Sequence, residues 1–109
     1  MDILFASAAL EALCSSEREG KRRWGDRSAK KLRTRLADLQ AAAKLADLVA
    51  GRPHPLKGDR LGQFAVDLDG GLRLVFEPAN EPVPRDSGGH VIWASVTAIC
   101  IVYIGDYHD

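Results

Sequence analysis

His54, Pro55, Leu56, Lys57, Gly58, Asp59 and Arg60 put an imidazole, an ammonium and a guanidinium into one short stretch of mid-chain. Pro53, Pro55 and Gly58 mark that stretch as a loop, because proline cannot continue a helix and glycine adopts backbone angles that other residues avoid. Loops held against a rigid scaffold are where binding and catalytic groups concentrate. Cations placed there can hold a phosphodiester, Lys57 as a point charge and Arg60 as a fork that donates two hydrogen bonds. An ordinary solvated turn carries the same residue types, and on those types alone the plainer account is favoured.

A second concentration of chemistry closes the chain, where Gly105 is followed by Asp106, Tyr107, His108 and Asp109. Terminal tails are commonly frayed. This one hangs directly from a strongly apolar run, which suits side chains that need accurate placement. Arg73 interrupts Leu72–Phe76, so its charge must point away from the core, into solvent or into a site.

The elements that would carry these groups follow from periodicity. Ile3 and Phe5 alternate in a short strand pattern over Asp2 to Ala6, and Ser7 offers an N-cap oxygen for a helix running to about Ser16. From Arg27 to Ala43, Leu32, Leu36, Leu39 and Ala43 recur three or four residues apart, with Lys30, Lys31, Arg33 and Arg35 mostly elsewhere on the wheel. This predicts an amphipathic helix with a basic outer face, and a further turn from Ala43 to Ala50 ending at Gly51. Gln63 to Leu68 and Leu72 to Glu77 read as strands joined by Asp69, Gly70 and Gly71, a hairpin signal. Pro78 to Gly89 reads as an exposed loop, and Val96 to Ile104 as a central strand buried on both faces. The predicted order is β, α, α, β, β, loop, β.

A chain of 109 residues is expected to form one domain, residues 1–109, and its 46 % hydrophobic and 28 % charged content sets aside disordered, collagen-like and membrane classes. Net charge is zero, but the distribution is uneven. Between Arg18 and Arg60 there are thirteen Lys or Arg against five Asp or Glu, while the remainder holds two basic and ten acidic residues. Such a positive block is a footprint for polyanions, although about half of it solvates a helix face. Cys14 and Cys100 are too few and too far apart for a metal motif and read as reduced, core-type thiols. Trp24 and Trp93 read as core rather than as a stacking platform. Neither a signal peptide nor a membrane span is predicted, so the cytoplasm is the expected compartment.

The run from His54 to Phe64, the LRLVFE strand from Leu72 to Glu77 and the closing Asp106-Tyr107-His108, in this order and at about these distances, resemble the HigB-type plasmid-maintenance killer proteins of the RelE/ParE toxin superfamily. The RRWG and AKKLRTRLADLQAA stretches and the loop from Phe76 to Pro84 are similar to one chromosomal branch of that family, so the likeness spans essentially the whole chain. It implies an α+β, RelE-like fold: an N-terminal strand and two helices packed on a twisted, mainly antiparallel sheet. It further implies a type II toxin, an endoribonuclease that cuts messenger RNA on the translating ribosome, in the 30S A site. The implied partner is a HigA-type helix-turn-helix antitoxin, through which alone operator DNA would be contacted. Matched position by position, the implied catalytic residues are His54, Lys57, Asp106, Tyr107 and His108. Arg60 and Arg73 are accessory cations, and no metal or cofactor is implied; apart from the resemblance, Lys30 and Lys31 on the basic face of the predicted helix are further candidate phosphate contacts. Asp109 extends past the usual ending, and the loop from Pro78 to Gly89 is longer than in compact members.

The chemistry expected of such a set is attack of a 2′-hydroxyl on the neighbouring phosphate, needing a base, an acid and charge stabilisation. Two histidines supply the first two, each positioned proton transfer being worth about 10²- to 10⁴-fold. Cations beside His54 favour its neutral form and a role as base, and carboxylates beside His108 favour the acid, with the reverse assignment open until neighbours in space are known. Two alternatives stand beside this one: a ParE-like toxin acting on DNA gyrase without hydrolysis, and a non-catalytic nucleic-acid-binding module.

Overall fold

The computed structural model describes residues 1–106 of the chain. Strand β1 (Asp2–Phe5) alternates half-buried Ile3 and Phe5 with exposed Asp2 and Leu4, as the period of two predicts. The Ser7 hydroxyl accepts from the Leu10 amide at 3.1 Å and caps helix α1 (Ala8–Ser15). Ser16 ends α1 by donating its amide to the Ala12 carbonyl, and its hydroxyl accepts from the Glu19 amide at 3.2 Å to begin helix α2 (Glu17–Ala41).

The second helix therefore begins at Glu17 rather than Arg27. Residues 17–24 have no apolar stripe to advertise a helix. They are supported instead by pairing of Lys21 with Glu17 at 3.0 Å and of Arg22 with Glu19 at 3.1 Å. Gly25, with φ of 86°, interrupts the helix, and the segment beyond it buries Ala29, Leu32 and Leu39. The turn expected over Ala43 to Ala50 shrinks to a 3-10 turn, Leu45–Asp47, whose Leu45 amide donates to the Val96 carbonyl at 2.9 Å.

Four more strands complete a five-stranded sheet: β2 (His54–Pro55), β3 (Phe64–Asp67), β4 (Arg73–Pro78) and β5 (Ala98–Gly105), in the order β1-β5-β4-β3-β2. The β1–β5 pairing is parallel and the others antiparallel. The β3–β4 hairpin is the one predicted around Asp69–Gly71, closed by the Leu68 amide on the Leu72 carbonyl at 2.9 Å. Strand β2, expected as loop, is tolerated despite Pro55 because it lies at the sheet edge, where a missing N–H costs least.

One face of the sheet carries the main core. Phe64, Val66, Leu74, Phe76, Ile99, Ile101 and Ile104 meet Leu32 and Leu39 of α2 together with Leu45 and Val96. Trp24 and Trp93 pack against this cluster as anticipated, Trp93 with its ring centroid 4.8 Å from that of Phe64. Strand β5 is not buried on both faces, however, because helices cover only one. Along it Ile99, Ile101 and Ile104 are buried, and the shift from odd to even numbers has a local cause. Tyr103 pairs with Val75 and Ile101 with Phe76, leaving Val102 as an extra residue in a bulge that resets the alternation.

Of the stretch from Pro78 to Gly89 expected as an exposed loop, Pro78 closes β4 and Ala79, Asn80, Val83 and Pro84 are half-buried. Residues 85–89 are exposed but shaped: the Asp86 carboxylate accepts from the Gly88 amide at 2.9 Å and the His90 amide at 3.0 Å. Burial pushes the Cys14 thiol up to about 11, and burial aided by Glu77 also raises Cys100, so neither is thiolate near neutrality. No helix among the described residues is long and apolar enough to cross a membrane.

Phe76 is fully enclosed between sheet and helices. Phe76→Ala is therefore expected to lower the unfolding free energy by about 3–5 kcal/mol in urea titrations, whereas Val49→Ser, at a position 85 % exposed, should change it by less than about 0.5 kcal/mol.

Candidate active site

The sheet face turned away from the helices collects His54, Arg60 and Arg73 from among the residues that the sequence singles out. Side chains directly opposite one another on paired strands share a face. His54 lies opposite Ala65, Ala65 opposite Val75 and Val75 opposite Tyr103, so these four form one row across β2, β3, β4 and β5. The next row holds Asp67, Arg73 and Gly105. Between His54 and Tyr103 lie three strand spacings, roughly 14 Å of backbone, with the short side chains of Ala65 and Val75 as the floor. Leu56, Val102 and Tyr103 pack on that floor as a small second cluster.

His54 is half-buried, and its Nδ1 lies 2.8 Å from the Arg52 carbonyl oxygen. A carbonyl can only accept, so Nδ1 carries the proton and Nε2 is the basic nitrogen of the neutral ring. Arg52 is an unusual residue to find there, with φ of 49°, next to Gly51 with φ of 86°. Both are tied to the end of β3, because the Asp67 amide donates to the Gly51 carbonyl at 2.6 Å and the Arg52 Nε donates to the Asp67 carboxylate at 2.9 Å. The other carboxylate oxygen of Asp67 accepts from Arg73 Nε at 3.1 Å.

Arg60 closes the 3-10 turn Gly58–Arg60 and folds its guanidinium over the Tyr103 ring, 4.6 Å from the centroid, while donating to Gln63 at 3.2 Å. Such a stack is worth about 0.5–2 kcal/mol and fixes the plane of both groups. Gly105 makes room for it: a methyl group there would run into the Tyr103 hydroxyl and ring. Lys57 stands exposed at the start of this turn, its carbonyl accepting the Arg60 amide at 3.2 Å.

Asp106, exposed beyond β5, rests its carboxylate against Gly71 of the β3–β4 turn, where a Cβ would come within 2.9 Å of Oδ2. Tyr107 and His108, the other terminal candidates, lie outside the described residues. Lys30 and Lys31 are not brought to this face. They belong to α2, whose Leu32 and Leu39 pack on the opposite side of the sheet. Among the described residues no group of three or more His, Cys, Asp or Glu is arranged to hold a metal ion.

Three participants escaped sequence reasoning: Arg52, Asp67 and Tyr103. Asp67 left a signal, because a hairpin turning on Gly70 sets it directly opposite Arg73, a pair of opposite charges. Arg52 left none, since its role is carried by its backbone.

No protein-family model matches the chain, and no curated protein does. Solved structures are similar to it over nearly their whole length. A "YoeB/ParE toxin" from Agrobacterium tumefaciens is 17 % identical, with 99 % of this chain and 100 % of that one covered and a TM-score of 0.58. A YoeB-YefM complex and a YoeB dimer, both from Staphylococcus aureus, are 20 % and 19 % identical with TM-scores of 0.55 and 0.56, each covering 100 % of this chain and 98 % of the other. The fold is thus the α+β fold of YoeB/RelE-like toxins, with helices on one face of a mostly antiparallel sheet, as the sequence predicts.

The fit between Gly105 and Tyr103 gives a direct check. Gly105→Ala is expected to destabilise the protein by about 1–3 kcal/mol through overpacking. In a Tyr103→Ala background the same change should cost almost nothing, and a double-mutant cycle measured by urea unfolding would register the difference as coupling.

Proposed function

We propose that this chain is the toxin of a toxin–antitoxin pair, of the HigB type, and that it cleaves messenger RNA held on the ribosome without a metal ion. The fold it shares with the YoeB/ParE toxin supports the general assignment. The observation that carries the nuclease reading is the Arg52 carbonyl on His54 Nδ1, which leaves a basic Nε2 on the same sheet face as Arg60 and Arg73.

In this mechanism Nε2 of His54 takes the proton of a 2′-hydroxyl as that oxygen bonds to phosphorus. The bond from phosphorus to the 5′ oxygen breaks, and His108 gives that oxygen a proton, leaving a cyclic phosphate and a free 5′-hydroxyl. Lys57, Arg60 and Arg73 stabilise the charge that grows on the phosphate oxygens. Asp106, just beyond β5, and Tyr107 complete the proposed set. Lys30 and Lys31 offer phosphate contacts from the helix layer, a separate surface. One similar structure is a YoeB-YefM complex; the corresponding partner proposed here is a HigA-type helix-turn-helix antitoxin, which would carry any contact with operator DNA.

Purified full-length protein added to ribosomes programmed with messenger RNA is expected to yield discrete cuts mapped by primer extension. His54→Ala and His108→Ala should each slow them by about 10²- to 10⁴-fold. Growth arrest by the double variant at wild-type strength, with RNA intact, would overturn the nuclease reading and leave a ParE-like target such as gyrase.

A further inference from the structure

Asp67 is half-buried at the end of β3 and has no place in the proton transfers above, yet three separate bonds converge on it. Its amide holds the Gly51 carbonyl at 2.6 Å. One carboxylate oxygen holds Arg52 Nε at 2.9 Å and the other Arg73 Nε at 3.1 Å. Exposed ion pairs by themselves contribute little to stability, and the Arg52 side chain is 69 % exposed. The consequence of this pair is conformational. A non-glycine residue at φ of 49° is strained, and such strain persists only where surrounding contacts over-determine it. Grip at Gly51 and at the Arg52 side chain supplies that determination from two sides of the same peptide.

We infer that Asp67 is a positioning residue which, by clamping the Gly51–Arg52 turn, aims the Arg52 carbonyl at His54 and so selects the Nδ1-protonated tautomer. The same carboxylate orients Arg73, so one side chain registers the base and a phosphate-binding cation against each other across β2, β3 and β4. The kinetic part of this inference rests on the ribonuclease reading; the tautomer part does not.

The test uses full-length protein with ¹⁵N-labelled histidine, read by long-range proton–nitrogen NMR at a pH where the His54 ring is neutral. Wild type is expected to show the Nδ1–H form. Asp67→Asn, which keeps the shape but removes the charge, should move population to the Nε2–H form. A second pair of variants separates backbone from ion pair: Arg52→Ala and Arg52→Gly both abolish the bond to Asp67, but glycine takes up φ of 49° without strain. Arg52→Ala should shift the tautomer as Asp67→Asn does, and Arg52→Gly should keep it near wild type. In the ribosome assay Asp67→Asn should lower kcat by about 10²-fold, the scale expected of a misplaced catalytic group. An unchanged His54 tautomer in Asp67→Asn, or equal behaviour of the two Arg52 variants, overturns the inference. If the wild-type protein cuts no RNA, the ribonuclease reading fails while the NMR comparison still decides this one.

Discussion

Two helices are enough to cover one face of a five-stranded sheet, and that shortage of cover governs where every other side chain can go. On the covered face Leu32 and Leu39 meet a continuous apolar surface from Phe64 to Ile104. Burial of such surface is the main favourable contribution to folding, so the packed side tolerates no charge. Strand alternation then delivers the intervening residues, from His54 to Gly105, to a face that water can reach. The open face keeps its centre apolar with Ala65, Val75 and Leu56, and spends its ends on charge. A hydrophobic decision on one side thereby produces a polar surface on the other.

The cations fall into two groups that the linear charge count merges. On α2 four cations pair within the helix, Lys21 and Arg33 with Glu17, Arg22 with Glu19, and Arg35 with Asp38. Arg52, Arg60 and Arg73 are gathered on the open face by chain segments distant in sequence. A carboxylate between two guanidiniums limits their mutual repulsion and holds their directions while leaving the cluster net positive, which suits a polyanionic ligand.

Much of this architecture was legible in the residues, for identifiable reasons. Periodicity revealed the part of α2 beyond Gly25, the β3–β4 hairpin and β1, because in each a single face is buried. It missed residues 17–24, where helix formation rests on capping and ion pairs, and it missed β2, a two-residue edge strand containing proline. It also overstated the burial of β5, since an apolar run cannot say how many faces are covered. Within the candidate site, His54, Lys57, Arg60 and Arg73 drew notice by residue type, but those types alone favoured a solvated turn, and it was the family resemblance that singled them out. The Asp67–Arg52 linkage drew no notice, because it acts through a carbonyl and a backbone angle, and any residue has a carbonyl.

The bulge at Val102 has a bearing on how β5 can vary in length. With Val102 absorbed into regular pairing, Tyr103 and Gly105 would turn toward the helices and Ile104 toward water, since a slip of one residue exchanges the two sides of a strand. Shortening β5 by that one residue would instead preserve the facing of Ile101, Tyr103 and Ile104 and leave Tyr103 opposite Val75 in a regular ladder. Insertion and deletion at this point are therefore unequal events. A further inserted residue, taken with Val102 into regular pairing, keeps the facing but moves Tyr103 from opposite Val75 to opposite Arg73, whereas losing the spare one leaves Tyr103 where it is.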